Sequence, residues 1–310
     1  MCISPSSPEF EAAMADLVEC GLAVAAGVTD PNLFLRYAGA LWTVRDTQAA
    51  ISALDRAIAA DPPLSASALS KAFAARAICE FQGGNLEQAA SDASTSIEIF
   101  PAAHPYGLRS EIRLVMGEVE RAMVDVEECV RLDPEDWEGR AWRAMVLREA
   151  GRHAEAIEEF TRVIDTGECE KYASELYLGR ARAQLALGNA GAAEEDCHAC
   201  IDLDYHEQAH WPFIVPNRAR HAHDAYLVRA EARLALGQNL LALGDCFFAA
   251  SLAPAEPAVY GLRARVYQAV GNLPEAMRDM IRVAHLQQVV GDAGTAASLP
   301  AEPVAAAAAD

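Results

Sequence analysis

The sequence predicts an all-α protein built as an array of antiparallel helix pairs, on three observations. An alanine recurs at a spacing of about thirty-four residues: Ala50, Ala89, Ala122, Ala156, Ala193, Ala242 and Ala276. Five residues before each stands Arg45, Gly84, Gly117, Gly151, Gly188, Gly237 or Gly271, so six of seven intervals carry glycine where a helix-to-helix turn would sit. Packing residues follow each alanine at spacings of four and then three, the mark of one buried helical stripe. Self-similarity at this period with glycine at the turn is the signature of a helical repeat. The chain has 310 residues, but repeats that pack on their neighbours need no single globular core, so one elongated domain is expected.

Taken in order, residues 8 to 27 have apolar side chains at helical spacing and predict an N-terminal capping helix within a segment 1–30. Seven repeats follow, at 31–64, 70–103, 103–136, 137–170, 174–207, 223–256 and 257–290. In each first helix, position four holds Phe34, Phe73, Tyr106, Arg140, Tyr177, Tyr226 or Tyr260. Position eight holds Ala38, Ala77, Ser110, Ala144, Ala181, Ala230 or Ala264. A large side chain and a small one four residues apart form a knob and a hole on one helical face. In each second helix, the alanine is position twenty. Position twenty-four is Leu54, Ala93, Val126, Phe160, Cys197, Cys246 or Met280, and position twenty-seven is Ala57, Ser96, Cys129, Val163, Cys200, Ala249 or Val283. Proline at 62, 101, 134 and 254 stops the second helix.

Between repeats five and six the spacing grows by about fifteen residues. This insertion, 205–222, contains Trp211 and, between Pro212 and Pro216, Phe213 and Ile214. It reads as a loop, either tucked against the adjacent helices because exposed Trp, Phe and Ile are unfavourable in water, or bordering a binding groove. The last helix is expected over 274–290, with Met277, Met280, Ile281, Ala284 and Leu286. An Ala-rich tail, 291–310, is low in complexity and expected to be disordered.

The ring at position four, small residue at eight, glycine near fifteen, alanine at twenty, packing residues at twenty-four and twenty-seven and terminal proline resemble the tetratricopeptide repeat (TPR). The likeness spans residues 31 to 290. Departures are Arg140 in place of the ring, Arg45 in place of glycine, and Glu168, Tyr205 and Gln288 in place of proline. The resemblance implies a right-handed α-α superhelix, a solenoid of antiparallel helix pairs whose first helices line a concave groove. It places positions two, five, nine and twelve on that wall, with Leu35, Trp42, Ala74, Ile78, Phe81, Glu111, Met145, Arg148, Arg182, Glu231 and Arg265 as partner-binding candidates. Family members that clamp a terminal carboxylate use Lys and Asn at several groove positions. Here Lys71 alone resembles that set, which argues against carboxylate clamping.

Charge narrows the partner. A formal net charge of -20, from 45 acidic and 25 basic residues, opposes nucleic acid and anionic lipid, which need clustered cations. The N-terminus has no basic segment followed by a long apolar run, so neither a signal peptide nor membrane insertion is expected. Eight cysteines without a secretory signal argue for free thiols in a cytoplasmic protein.

Arginine occupies position seven in six repeats: Arg76, Arg109, Arg143, Arg180, Arg229 and Arg263. The same six carry an acid at position twenty-three: Asp92, Asp125, Glu159, Asp196, Asp245 and Asp279. The first repeat has Tyr37 and Ala53 instead. Presence and absence agree seven times, which predicts a two-point Arg–carboxylate staple between the helices of each pair rather than a basic ligand stripe.

One local motif has zinc-ligand types, Cys197-x2-Cys200-x5-His206-x3-His210. Against metal, both cysteines fall on core positions where cysteine recurs as Cys129 and Cys246, and the spacer is short for a finger. Packing is therefore the expected role, with no metal and no cofactor. No nucleophile elbow, phosphate loop or metalloprotease motif occurs. The expected function is a non-enzymatic scaffold or adaptor that binds a peptide or helix of a protein partner in the groove. The alternative is a self-assembling structural protein, a homodimer or larger homo-oligomer joined through the uncapped C-terminal end.

Overall fold

A computed structural model of the chain describes residues 8–167, 172–209 and 216–297. Its fifteen described elements are all α-helices. They divide into two compact units, the first reaching residue 171 and the second starting at 172. The first unit contains α1 (Pro8–Ala25), α2 (Pro31–Thr43), α3 (Thr47–Ile58), α4 (Ala66–Gln82), α5 (Leu86–Ile99), α6 (Ala103–Val115), α7 (Val119–Leu132), α8 (Trp137–Glu149) and α9 (His153–Thr166). The second contains α10 (Ala173–Ala186), α11 (Ala190–Ala209), α12 (Pro216–Ala235), α13 (Asn239–Leu252), α14 (Pro257–Ala269) and α15 (Leu273–Ala297). Each repeat holds one helix pair, and α1 packs on α2 ahead of the first.

The recurring alanines mark where the two helices of a pair cross. All seven are essentially inaccessible to solvent, as are the small residues opposite them at position eight. Only a side chain as small as alanine or serine occupies these places, and a much larger one would force the helices apart.

The turn is equally uniform. The residue at position fifteen is left-handed in every repeat, with φ between 74° and 83° for the six glycines and 64° for Arg45. The next amide closes a six-residue ring onto the first helix, for example Glu118 N to Arg113 O at 2.8 Å and Asp46 N to Leu41 O at 3.0 Å. This is the Schellman stop, and glycine adopts it without a Cβ clash. Arg45 makes the same turn with a Cβ, at a cost of about 1–2 kcal/mol. Arg45→Gly is therefore expected to raise the urea midpoint, by up to about 1 kcal/mol after the added freedom of the unfolded chain is subtracted. A lowered midpoint would contradict that account.

All six Arg–acid staples form. Asp92, Asp125, Asp196, Asp245 and Asp279 each accept two hydrogen bonds from the Nε and Nη2 of their arginine, at 2.6–3.1 Å. The acids are buried. Repeat four departs from the two-point geometry: Arg143 Nη1 reaches Glu159 Oε1 at 3.1 Å, and Arg162 Nη1 shares that oxygen at 2.8 Å. Glutamate is one methylene longer than aspartate, and a second guanidinium competes for it. Where position four is aromatic in a stapled repeat, the guanidinium also lies 5.2–5.7 Å from that ring. The knob of the repeat thus faces the staple through its π-cloud.

Three boundaries differ from the sequence reading. Helix α4 starts four residues before the expected repeat because Ser65 Oγ accepts the Ala68 amide and caps it there. The insertion is not a long loop over 205–222. Helix α11 continues to Ala209 and α12 already begins at Pro216, a favoured first helical residue. Trp211, Phe213 and Ile214 lie outside the described residues. The last helix runs to Ala297, seven residues into the segment expected to be disordered, because no proline interrupts it before Pro300.

Candidate functional site

The first helices of the N-terminal unit leave an apolar cavity of about 330 Å³ between α2 and α4. Leu35, Gly39 and Trp42 line it from α2, with Lys71, Ala75, Ile78 and Cys79 from α4. The cavity exists because its walls are small where the helices face each other: glycine on one side, Ala75 on the other. Trp42 forms one wall, and its Nε1 donates to Gln82 Oε1 at 3.2 Å, which holds the ring between the two helices. Lys71 is exposed at the rim and is the one charged residue of the lining. Burial, with Glu80 adding to it, pushes the Cys79 thiol up to about 11, so it contributes a neutral, unreactive surface.

Three expected groove residues, Leu35, Trp42 and Ile78, thus come together here. Two others do not open onto it. Ala74 is buried, and Phe81 packs against the cluster of Ala77, Ala89, Ala93, Leu108 and Ile112. These inward positions follow from the neighbouring second helices, whose alanines leave room for the ring.

Farther along the same unit the wall is closed. Trp142, on α8, lies across α6 at Gly107, where an added Cβ would sit 2.0 Å from the ring atoms Cε3 and Cζ3. Its Nε1 donates to Glu111 Oε2 at 3.2 Å, and His104 meets the ring edge-on with centroids 5.8 Å apart. Glu111 is therefore engaged in fixing the tryptophan. Met145 is half-buried on α8, and Arg148 pairs with Glu149 at 2.6 Å. Trp142 escaped the sequence reading, although a glycine at position five followed one repeat later by tryptophan at position six was its visible signal.

In the C-terminal unit, Arg182, Glu231 and Arg265 do converge, around a more open cavity of about 590 Å³ also lined by Leu185, Val228 and Leu234. Arg265 pairs with Glu231 at 2.9 Å, and Arg182 with Asp224 at 2.8 Å. The charges on this wall are mutually satisfied. At its back, Arg233 donates to Glu194, to Asp245 and to His198 Nε2 at 3.2 Å. The other ring nitrogen of His198, Nδ1, lies 2.9 Å from Glu194 O.

Cys197 and Cys200 sit fully buried among Leu178, Ala181, Ala193, Ala225, Val228 and Ala232. Burial pushes the Cys197 thiol up to about 12, which disfavours the thiolate that zinc requires. The side chains of His206 and His210 lie outside the described residues. These cysteines are core packing.

Stacked helix pairs, left-handed turns at position fifteen and first helices bordering the cavities define a TPR-type repeat fold. Solved structures agree. A tetratricopeptide repeat protein from Parabacteroides merdae superposes with a TM-score of 0.59 at 16% identity, covering 84% of this chain and 96% of that one. The APC/C hetero-tetramer Cut9–Hcn1 gives 0.70 at 15% identity, over 82% of this chain and 46% of that one. PilW, a type IV pilus biogenesis factor, gives 0.59 at 17% identity, over 72% and 98%. No protein-family model and no curated protein matches the sequence. Among the described residues, no helix is long and apolar enough to cross a membrane.

Proposed function

We propose that this protein is a non-enzymatic interaction scaffold, and that the cavity between α2 and α4 anchors an apolar side chain of a partner peptide or helix. The observation that carries this reading is an apolar cavity of about 330 Å³, the size of one or two large side chains, with a single cation at its rim. An acidic residue beside the apolar anchor would meet Lys71. Buried, protonated cysteines at the core positions support a reducing, cytoplasmic setting.

Gly39 provides the test, because a Cβ there meets open space and its φ is ordinary. Gly39→Leu fills the cavity while improving helix propensity by about 0.5–1 kcal/mol, so it should fold at least as well as wild type. A displayed random-peptide library selected on the full-length protein is expected to enrich a bulky apolar residue next to an acid. Gly39→Leu should weaken the selected peptides at least about tenfold, roughly 1.4 kcal/mol. Lys71→Glu should weaken those with the acid more than those without it. Peptides that bind Gly39→Leu and wild type equally would refute the anchor site.

A further inference from the structure

Position twenty-four shows how each repeat is covered by the next. In repeats one, two, three, five and six it is at most 2% exposed. In each case it packs with positions six and ten of the next first helix: Ala93 with Leu108 and Ile112, Val126 with Trp142 and Val146, Cys197 with Val228 and Ala232, Cys246 with Leu262 and Val266. Leu54 meets Ala75 and Cys79 in the same way. The covering motif is therefore a helix presenting two apolar residues four apart. In the seventh repeat the residue is Met280, and it is 52% exposed. Leu273, Met277 and Ile281 are exposed beside it, at the helical spacing of one continuous face. Among the described residues no helix covers this face.

The opposite end of the chain carries a helix of the required kind. Helix α1 covers α2 on one side. On its outer side Met14, Val18 and Leu22, each four residues from the next, are exposed. Glu11 stands on that outer side and is exposed, whereas Asp16 and Glu19 pair with Arg36 of α2, and the helix has no base. Beside the uncovered face of α15 stand the exposed cations Arg278, which pairs with Glu275 at 2.6 Å, and Arg282, which lies over the Tyr260 ring at 4.2 Å. A second α15 packed there would bring these arginines toward their own copies, whereas α1 brings the Glu11 carboxylate.

We propose that the uncovered face of α15 receives α1 of a second copy of this chain, with Val18 and Leu22 in the places of positions six and ten over Met280. The contact is heterologous, so each addition leaves one free α1 and one free α15, and assembly continues until a ring closes.

The test uses the full-length protein with Val18→Glu and Met280→Glu, measured by light scattering over a concentration series. Wild type should rise with concentration beyond twice the 33.2 kDa protomer mass. Each variant alone should remain at the protomer mass, since one has a blocked α1 and the other a blocked α15. Mixed in equal amounts, they should form a species of twice that mass and no larger, joined through the two intact faces. A monomeric wild type overturns the proposal, as does a monomeric mixture. Dimers of Val18→Glu alone would mean that α15 takes some other occupant and would overturn the role of α1. The substituted side chains are exposed, and melting curves check folding. Leu22→Ser and Ile281→Ser, at side chains 67% and 64% exposed, repeat the test should either charge variant fail to fold.

Discussion

Arg180→Leu is expected to destabilise the protein by about 3–5 kcal/mol, because removing one partner of a buried pair leaves the other charged and desolvated. Arg180 bridges α10 and α11 through both oxygens of Asp196, a carboxylate that is buried in the fold. The loss should appear as a fall of the urea midpoint and as faster hydrogen exchange in α10 and α11, since a repeat array opens locally. Two comparisons isolate the cause. Arg180→Leu with Asp196→Leu should recover most of the loss, because an apolar pair can replace a buried ion pair at little net cost. Arg109→Leu should cost less than Arg180→Leu, because Arg113 Nη1 remains on Asp125 at 2.6 Å. An Arg180→Leu protein that unfolds at the wild-type midpoint would contradict the staple.

Gly107→Ala is expected to destabilise by about 1–3 kcal/mol, against the usual gain from replacing a helical glycine by alanine. The new methyl would lie 2.0 Å from two atoms of the Trp142 ring, and the ring is held over that glycine by Glu111 and His104 of the same helix. The tryptophan must leave its seat, separating α6 from α8. In a Trp142→Ala background the obstacle is gone, and the same Gly107→Ala change should become stabilising by about 0.5–1 kcal/mol. That reversal of sign is the measurement to make. Destabilisation of equal size in both backgrounds would mean that Trp142 is not what glycine accommodates.

The contrast between these two variants marks how far the residues could be read along the chain. The Arg180–Asp196 pair was legible because both members sit at fixed offsets within one repeat and because the first repeat, with Tyr37 and Ala53, lacks both. The Gly107–Trp142 pair spans two repeats, occurs once and has no periodic counterpart. Gly261 occupies the same position five, yet a Cβ there would meet nothing within 4 Å. Repeat position alone places Phe81 and Ala74 on the groove wall, while the burial of Ala74 and the packing of half-buried Phe81 against Ala89 and Ala93 depend on side chains from other helices. Leu35, Trp42 and Ile78 border a cavity because Gly39 and Ala75 happen to be small on opposite sides of it. The long helices α11 and α12 were read as a loop because a repeat used as a ruler registers any excess length as irregular, whatever conformation fills it.

The sequence by itself determined the all-α class, the seven helix pairs, the places of the turns between their helices and the Arg–acid staples. These depend on interactions a fixed number of residues apart, and a helix converts fixed spacing into fixed geometry. The tertiary structure alone decided which stretch of the first-helix wall opens as an apolar cavity, where tryptophan closes it, and that Met280 stands uncovered at the end of the last repeat. Those outcomes depend on how side chains from different helices fill one volume, and volume complementarity between distant residues leaves no period in the chain to read.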